Sequence, residues 1–205
     1  MRAKERSPAA IQKWLAWDYP AIAKRAKVQR AMICWGDETG ISNQDQIGRS
    51  WAPRGQTPVV RRTARRVTQS MISAVSNRGL MRFMPYAGAL NVDRFIAFLR
   101  RLVKDAGQKV FLIVDNLRVH HARKVKAWVA SHAHEIELFH LPAYAPDHNP
   151  SEYLNNELKQ KLRQRSQPGS RDDLIRSARS VLRAIQRSSQ SVRAYFTPHP
   201  VQYAA

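Results

Sequence analysis

The stretch from Asn91 to Leu141 constrains the fold more than any other part of this chain. A helix is predicted over VDRFIAFLRRLVKDA, with Asn91 as its cap and Gly107 at its end, and the apolar run KVFLIVD follows. A continuous run of this kind is typical of a strand that is buried on both faces. A basic helix over about residues 121–130 then leads to the short strand IELFHL. Strands connected by helices pair in parallel, so this half of the chain predicts part of a parallel sheet.

The sequence upstream of this stretch has the alternation and turn signals of an antiparallel meander. Three or four strands are predicted from AMICWGD, TPVV, QSMISAV and LMRFMPY, the last two separated by a turn at residues 76–79. An antiparallel meander followed by helix-connected strands gives a single mixed sheet with helices on its faces. We therefore predict an α/β fold with a mixed five-stranded sheet flanked by helices.

The two ends of the chain read as helical. Residues 8–30 predict a helix interrupted at Tyr19-Pro20, because proline disfavours helical geometry at the preceding residue. Helices are also predicted over about residues 150–165 and 171–187, the second capped by Ser170, and the tail beyond residue 188 has no clear assignment. The expected organisation is a basic helical segment over residues 1–30, an α/β domain over 31–165, and a C-terminal helix and tail over 166–205.

Three carboxylates stand where the predicted elements begin or end. Asp37 ends the apolar run AMICWGD, Asp115 ends KVFLIVD, and Glu152 lies in the first turn of a helix. The first strand and KVFLIVD are expected to be parallel neighbours, so their carboxyl ends meet at one edge of the sheet, where open α/β sheets bind ligands. Carboxylates suit Mg²⁺, and two such ions roughly 3.5–4 Å apart stabilise both oxygens of a phosphodiester displacement. In this interpretation Asp37 bridges both ions, while Asp115 and Glu152 each hold one.

Each acid also has a purely structural interpretation. Asp37 and Asp115 could accept hydrogen bonds from turn amides at the strand ends. Glu152 could complete a capping box in which Asn149 is the N-cap and Pro150 is the first helical residue. Taken singly, these structural roles are favoured. Their joint placement in one predicted cleft favours a metal site.

The charge of the chain indicates a polyanionic partner. The 205 residues include 35 Lys and Arg against 15 Asp and Glu, a net charge of +20, and the basic residues recur in clusters rather than singly. Nucleic acid is the leading candidate, with a solvated basic surface as the alternative. No apolar stretch approaches the roughly 20 residues that cross a bilayer, and the N-terminus lacks a signal-peptide pattern, so we expect no membrane partner and a cytoplasmic protein.

Other common chemistries are not supported by the sequence. The single cysteine, Cys34, lies within an apolar run and is expected to be a small buried hydrophobe. The histidines lack the ligand intervals of a zinc site, and neither a G-x-S-x-G nucleophile motif nor a phosphate-binding glycine loop occurs.

Several strings resemble the catalytic domain of bacterial insertion-sequence transposases of the mariner-like superfamily. They are WGDETG, RSWAPRGQTPVV, FLIVDNLRVHHA and LPAYAPDHNPSEYLNNELK, in this order, and the resemblance covers about residues 24–165. The resemblance implies an RNase H-like fold with a DDE triad, and its three acids fall on Asp37, Asp115 and Glu152, with 36 residues between the last two. It further implies Mg²⁺-dependent hydrolysis of double-stranded DNA at transposon ends and strand transfer into target DNA. Mn²⁺ is expected to substitute for Mg²⁺.

The resemblance also suggests roles for residues around the triad. Asn116 and Asn149 belong to the matching strings and, with Glu38, are expected to support the metal site. Residues expected to contact nucleic acid are Arg54, Arg118, His120 and Lys159, although a solvated loop position is an alternative for His120 and a solvated helix face for Lys159. Such proteins normally carry an N-terminal helix-turn-helix region, and only about thirty residues precede the first strand here, so we expect that region to be separate or missing.

A transposase of this type is expected to act as a homo-oligomer when the ends are synapsed and to be associated with the bacterial nucleoid. Two other functions remain open from the sequence. An RNase H-like nuclease of other specificity would share the fold and the acids. A catalytically inactive basic remnant would bind DNA but would be indifferent to the loss of an acid.

Overall fold

The protein is described by a computed structural model that covers residues 6–45, 51–56 and 65–205. Its secondary-structure elements follow one another in this order: α1 (Pro8–Lys13), a π-helical turn (Trp14–Asp18), α2 (Tyr19–Val28), β1 (Met32–Ser42), β2 (Thr68–Val75), β3 (Met81–Tyr86), α3 (Val92–Ala106), β4 (Val110–Val114), α4 (Arg123–Ser131), β5 (Ile136–His140), a 3₁₀ turn (Pro146–His148), α5 (Ser151–Arg163), α6 (Arg171–Arg187), α7 (Ser189–Ala194) and a 3₁₀ helix (His199–Ala204).

The strands form one mixed sheet in the order β3-β2-β1-β4-β5. Strand β1 pairs antiparallel with β2, and β2 pairs antiparallel with β3. On its other side β1 pairs in parallel with β4, which pairs in parallel with β5. The predicted mixed five-stranded sheet is therefore confirmed. The predicted strand TPVV, at residues 57–60, lies outside the described residues.

Apolar layers cover both faces of the sheet. Successive residues of β4 alternate between them, so Phe111 and Ile113 pack into one layer and Leu112 and Val114 into the other. This alternation explains why the strand has no polar residue before Asp115. Helices α3 and α4 contribute to the layer that contains Leu112, and α2, α5 and α6 contribute to the opposite layer.

Cys34 lies in the same layer as Leu112 and is fully buried. Burial raises the pKa of its thiol to about 12, so the thiolate that a nucleophile needs is not formed near neutral pH. The predicted role of Cys34 as a small apolar residue is confirmed by this burial.

The N-terminal helical segment continues through Tyr19-Pro20, where the sequence predicted an interruption. A π-helical turn precedes Pro20, and the Tyr19 N–H donates to the Trp14 carbonyl five residues back. The wider turn accommodates a residue that has no N–H to offer, which is why the chain stays helical here. Trp14, Tyr19 and Ile22 then pack into the apolar layer beneath α5 and α6.

The predicted caps of the longer helices are confirmed. The Asn91 side chain accepts a hydrogen bond from the Arg94 N–H at 2.9 Å, and Gly107 ends α3 in the left-handed region with φ 64°. At the start of α6, Ser170 and Asp173 form a complete capping box. Capping residues that are local in sequence are therefore enough to predict where α3 and α6 begin and where α3 ends.

The C-terminal tail, which had no sequence assignment, folds onto the sheet. Tyr195 and Phe196 are buried, and the Phe196 ring meets the Trp35 ring edge to face at a centroid distance of 5.1 Å. Helix α6 packs on α5, β2 and β3, so its apolar residues belong to the same layer. The division of the chain into three segments at residues 30 and 165 stays a prediction. Across the described ranges, no helix combines the length and the apolar character needed to cross a bilayer.

Candidate metal-binding active site

The register of the parallel pair β1/β4 brings two of the predicted acids together. The last parallel partners are Trp35 and Ile113, and Asp37 and Asp115 each follow two residues later. Asp115 comes directly after the end of β4, as predicted. Asp37 does not end its strand, because β1 continues to Ser42 through antiparallel pairing with β2. That part of the prediction was wrong, although the alignment of the two acids does not depend on it.

The start of α5 is fastened to β1 next to Asp37. The Asn149 side-chain amide donates to the Gly36 carbonyl at 3.3 Å, and the Ser151 hydroxyl donates to the Trp35 carbonyl at 2.6 Å. Both side chains are buried, so the two bonds are shielded from water. Glu152 follows directly in the first turn of α5 and is thereby held beside the strand that carries Asp37.

The capping box that was the alternative role of Glu152 is not formed. The Asn149 N–H donates to the Pro146 carbonyl at 2.8 Å, so it is not available to the Glu152 carboxylate. The Asn149 side-chain oxygen accepts instead from the Ser151 N–H at 3.1 Å. Within residues 6–45, 51–56 and 65–205, no protein group hydrogen-bonds to the Glu152 carboxylate, which leaves it to face the cleft.

A cleft of about 420 Å³ opens between these elements. Its lining contains all three acids together with Asn116, Asn149 and the loop over residues 141–146. The Asn116 side-chain amide donates to the Leu141 carbonyl and so ties the segment after β4 to this loop. Asn116 and Asn149, both predicted as supports, therefore hold two walls of the cleft in place.

Asp37 is affected by the charges of both other acids in the cleft. Its two carboxylate oxygens accept hydrogen bonds from the Glu38 N–H at 2.9 Å and from the Asn155 side-chain amide at 2.7 Å. Burial raises the pKa of Asp37 well above its usual value, and the negative charges of Glu152 and Asp115 raise it further. The two hydrogen bonds oppose this shift without cancelling it. The three acids are thus close enough to repel one another, which a bound cation would relieve.

Asp115 is more open to solvent, with 42% of its side chain exposed. One carboxylate oxygen accepts from the Leu117 N–H at 3.2 Å and lies 3.1 Å from His120 Nδ1. His120 Nδ1 is hydrogen-bonded to the Asp115 backbone carbonyl, also at 3.1 Å, and because a carbonyl or carboxylate oxygen can only accept, Nδ1 carries the proton. The His120 ring is buried and packs on Phe95 at a centroid distance of 4.5 Å. The structure therefore does not support the predicted DNA contact by His120, which instead orients Asp115.

The other predicted site residues occupy different surroundings. Glu38 accepts a hydrogen bond from the Tyr86 hydroxyl, and Tyr86 belongs to the apolar layer on the α3 side of the sheet. Neighbouring residues of a strand point to opposite faces, so Glu38 supports the site only through its backbone N–H. Arg54 and Arg118 are exposed and Lys159 is partly exposed, which leaves all three free to contact a ligand.

Asn155 is the site residue that sequence reasoning missed. It is buried, and it follows Glu152 by three residues on α5, so the two side chains share one helix face. The helical spacing from the third acid was the available signal. This spacing indicates a role for Asn155 only when it is known that this face of α5 packs against Asp37.

The donor set fits a hard divalent cation. Mg²⁺ prefers carboxylate oxygens and keeps several waters, so few protein ligands suffice. Among the described residues, no three acidic, histidine or cysteine side chains gather closely enough to hold a single ion. Asp37 interacts electrostatically with both Glu152 and Asp115.

Replacing Asp37 with asparagine is expected to raise the melting temperature of the protein at neutral pH without divalent ions. An acid whose pKa is higher in the folded state binds more protons there, so stability falls as pH rises from the unfolded to the folded pKa. Removing the partly buried charge and its repulsion from Glu152 and Asp115 outweighs the weakened bond from the Glu38 N–H.

Calorimetry across a pH series measures this effect. The gain should shrink at low pH, where Asp37 is protonated in the folded and unfolded chains alike. Added Mn²⁺ should stabilise the wild type more than the variant. A variant that melts below the wild type at neutral pH would contradict the electrostatic description of the cleft.

Comparisons with known proteins agree with this geometry. The DDE superfamily endonuclease family matches residues 32–175. The chain is similar in structure to Mos1 mariner transposase in a paired end complex with Mn, with a TM-score of 0.70 and 17% identity, over 99% of this chain and 63% of that one. It is also similar to the Mos1 strand transfer complex, with a TM-score of 0.71 and 18% identity, over 99% of this chain and 62% of that one.

The catalytic domain of Mos1 mariner transposase alone gives a TM-score of 0.63 at 16% identity, over 99% of this chain and 94% of that one. This chain therefore spans about the length of that domain and under two thirds of the transposase chains in the DNA complexes. No match was found among curated protein sequences. The structural likeness establishes the RNase H-like fold that the sequence predicted. Because the family match covers more than half of the chain and includes all three acids, the chain belongs to the DDE superfamily endonuclease family.

Proposed function

We propose that this chain is the catalytic domain of a DNA transposase that hydrolyses phosphodiester bonds at transposon ends and transfers the freed strand into target DNA. The observation that carries the proposal is the convergence of Asp37, Asp115 and Glu152 on one cleft of an RNase H-like sheet. The similar Mos1 structures include a paired end complex with Mn, another with Mg, and a strand transfer complex. Those complexes support DNA as the partner and a divalent ion as the cofactor here.

Two Mg²⁺ ions are the proposed cofactor, and Mn²⁺ is expected to replace them. Asp37 would contact both ions, Asp115 one and Glu152 the other. The ions would supply charge stabilisation for the attacking and leaving oxygens of an in-line displacement. The chain itself would keep the carboxylates in place through Asn149, Ser151 and Asn155.

The proposed reaction has two steps at the one cleft. A water oxygen first attacks the phosphorus at a transposon end, and the 3′ oxygen leaves with a proton as a free hydroxyl. That hydroxyl then attacks a phosphodiester of the target, whose own 3′ oxygen leaves in turn. Arg118, which is exposed, and Lys159, which is partly exposed and lies seven residues beyond Glu152 on α5, would contact the backbone of the bound duplex.

The partners follow from this reaction. Joining two transposon ends calls for a homo-oligomer in the synapsed state, and reading the ends calls for a helix-turn-helix region, supplied separately or missing. Such an enzyme of bacterial origin would act in the cytoplasm at the nucleoid.

The test is cleavage of labelled duplex DNA that bears candidate ends, with Mg²⁺ or Mn²⁺, and with EDTA as the control. Nicks with 3′ hydroxyl ends, followed by joined products, are expected. Cleavage that ignores the ends and gives no joined product would point instead to an RNase H-like nuclease of other specificity. DNA binding without cleavage under any metal condition would favour an inactive basic remnant.

Replacing Asn155 with leucine is expected to weaken Mn²⁺ binding by about tenfold to a hundredfold, the usual cost of losing a residue that orients a metal ligand. The Asn155 amide donates to Asp37 at 2.7 Å, and leucine fills a similar volume without a donor. Isothermal titration of Mn²⁺ into the DNA-free protein measures the effect without reference to activity. Asn156 is exposed, so Asn156→Leu is the matched control and should bind Mn²⁺ like the wild type. Equal affinities of the two variants would contradict the role given to Asn155.

A further inference from the structure

A groove lined by arginines lies at the opposite side of strand β2 from the acids. It has a volume of about 440 Å³ and runs over the edge strand β3, between α3 and α6. Phe83, Pro85 and Phe98 contribute to its lining. It shares no lining residue with the cleft that contains the acids. We call this feature the arginine groove and define its basic members as Arg82, Arg101, Arg179 and Arg183.

Three of the four arginines carry unneutralised charge. Arg82 donates to Asp105 at 2.8 Å and is thereby occupied. Arg101 on α3, and Arg179 and Arg183 on α6, are exposed, and none of them has an ion-pair or hydrogen-bond partner in the part of the chain that the structure describes. Like charges held around one groove repel one another, so their convergence favours a site for an anion.

The arrangement suits a phosphate backbone better than a single small anion. Arg179 and Arg183 lie about one helical turn apart, about 6 Å along the helix, which is close to the axial distance between phosphates two nucleotides apart on one DNA strand, roughly 7 Å. Arg101 contributes a third charge from the other wall. Guanidinium groups match phosphate oxygens in a bidentate manner, and an open groove accepts a long polymer.

Protection of the sheet edge is the alternative explanation for these charges. Edge strands are often guarded by charged residues and proline. Strand β3 already carries Arg82 and Pro85 for that purpose. Arg101, Arg179 and Arg183 lie on the flanking helices, so edge protection does not account for them.

We infer that the arginine groove is a second, sequence-independent binding site for the sugar-phosphate backbone of duplex DNA, separate from the catalytic cleft. The choice of DNA as the polyanion rests on the proposed function. Asp37, Ser73 and Phe83 lie in one row across β1, β2 and β3, so the groove edge is about 10 Å from the strand that carries Asp37. A duplex bound at the acids could therefore extend to this edge, or a second duplex could occupy it.

The test compares two triple variants that lose the same charge. The groove variant combines Arg101→Gln, Arg179→Gln and Arg183→Gln. The control combines Lys24→Gln, Lys27→Gln and Arg30→Gln, which are exposed at or just after α2, the helix that pairs through Arg25 with Glu137 of β5 at the opposite edge of the sheet. Fluorescence anisotropy with a labelled duplex, in EDTA and between roughly 50 and 200 mM salt, gives the log-log salt slope for each protein.

The groove variant should reduce the magnitude of the slope by roughly 0.9 for each lost contact, about 2.7 in all. The control should change it by much less, and the three arginines changed to lysine should restore it. Each single Arg→Gln change, expected to contribute roughly 0.9, provides the same information if the triple variant aggregates. Equal slopes for the groove variant and the control would overturn the inference.

Cleavage is measured separately, so the two proposals fail independently. A wild type that never cleaves but shows a groove-dependent slope would sink the proposed function and keep the groove. If the wild type cleaves and joins DNA, but the groove variant and the control have equal salt slopes, the proposed function would stand and the groove inference would fail.

Discussion

Replacing Asp115 with asparagine is expected to abolish metal-dependent DNA cleavage while DNA binding stays intact or becomes slightly tighter. The substitution keeps the size of the side chain but removes from the lining of the cleft a negative charge that is proposed to bind the metal. A metal contributes several kcal/mol to stabilising the transition state, so its loss lowers the rate by roughly three orders of magnitude or more. One negative charge fewer beside the phosphates accounts for the slightly tighter binding.

The measurement is single-turnover cleavage with Mg²⁺ or Mn²⁺, alongside anisotropy for binding. Asp172→Asn is a suitable control, because Asp172 is exposed in the first turn of α6, away from the cleft lining. The control should cleave like the wild type. Cleavage by Asp115→Asn at a rate near that of the wild type would remove Asp115 from the metal site and with it the proposed mechanism.

Much of the site could be predicted because its geometry follows from strand order. Once β1 and β4 are parallel neighbours, any residue two places beyond Trp35 lies level with one two places beyond Ile113. The apolar run before Asp115 and the helix start before Glu152 are local signals that a sequence displays directly. The meeting of Asp37 and Asp115 therefore required only the correct topology and register, whereas the approach of Glu152 also required the contacts of α5 with β1.

The features that were not predicted depend on contacts between distant parts of the chain. His120 is distinguished from a solvated loop residue by its contact with Asp115 and by its packing on Phe95, which lies on a different element. The hydrogen bond from Asn155 to Asp37 requires α5 to rest on β1 in one rotation. The continuation of β1 to Ser42 is set by pairing with β2 and not by the composition of β1 itself. No local pattern encodes such contacts.

The packing of the C-terminal tail also depends on distant contacts and was not predicted from the sequence. Loss of this packing is expected to have a large effect on stability. Phe196 is buried against Trp35, which also contacts Tyr19 from the N-terminal helical segment at a centroid distance of 6.0 Å. Phe196→Ala should lower the free energy of unfolding by about 3–5 kcal/mol, because a buried aromatic ring is lost and a cavity remains. For a chain of this size, the melting temperature should fall by roughly 6–20 °C.

Thermal unfolding followed by circular dichroism measures this loss of stability. Trp17→Ala is the control, because Trp17 is 74% exposed. Its removal should change the free energy of unfolding by less than about 0.5 kcal/mol. Cleavage should decline at the same lowered temperature, since the Trp35 carbonyl also accepts the Ser151 hydroxyl at the start of the helix that carries Glu152. A Phe196→Ala protein as stable as the control would mean that the tail is an appendage. A loss of the expected size would mean that residues beyond 188 help to hold the acids in place, so that the catalytic unit extends past residue 165.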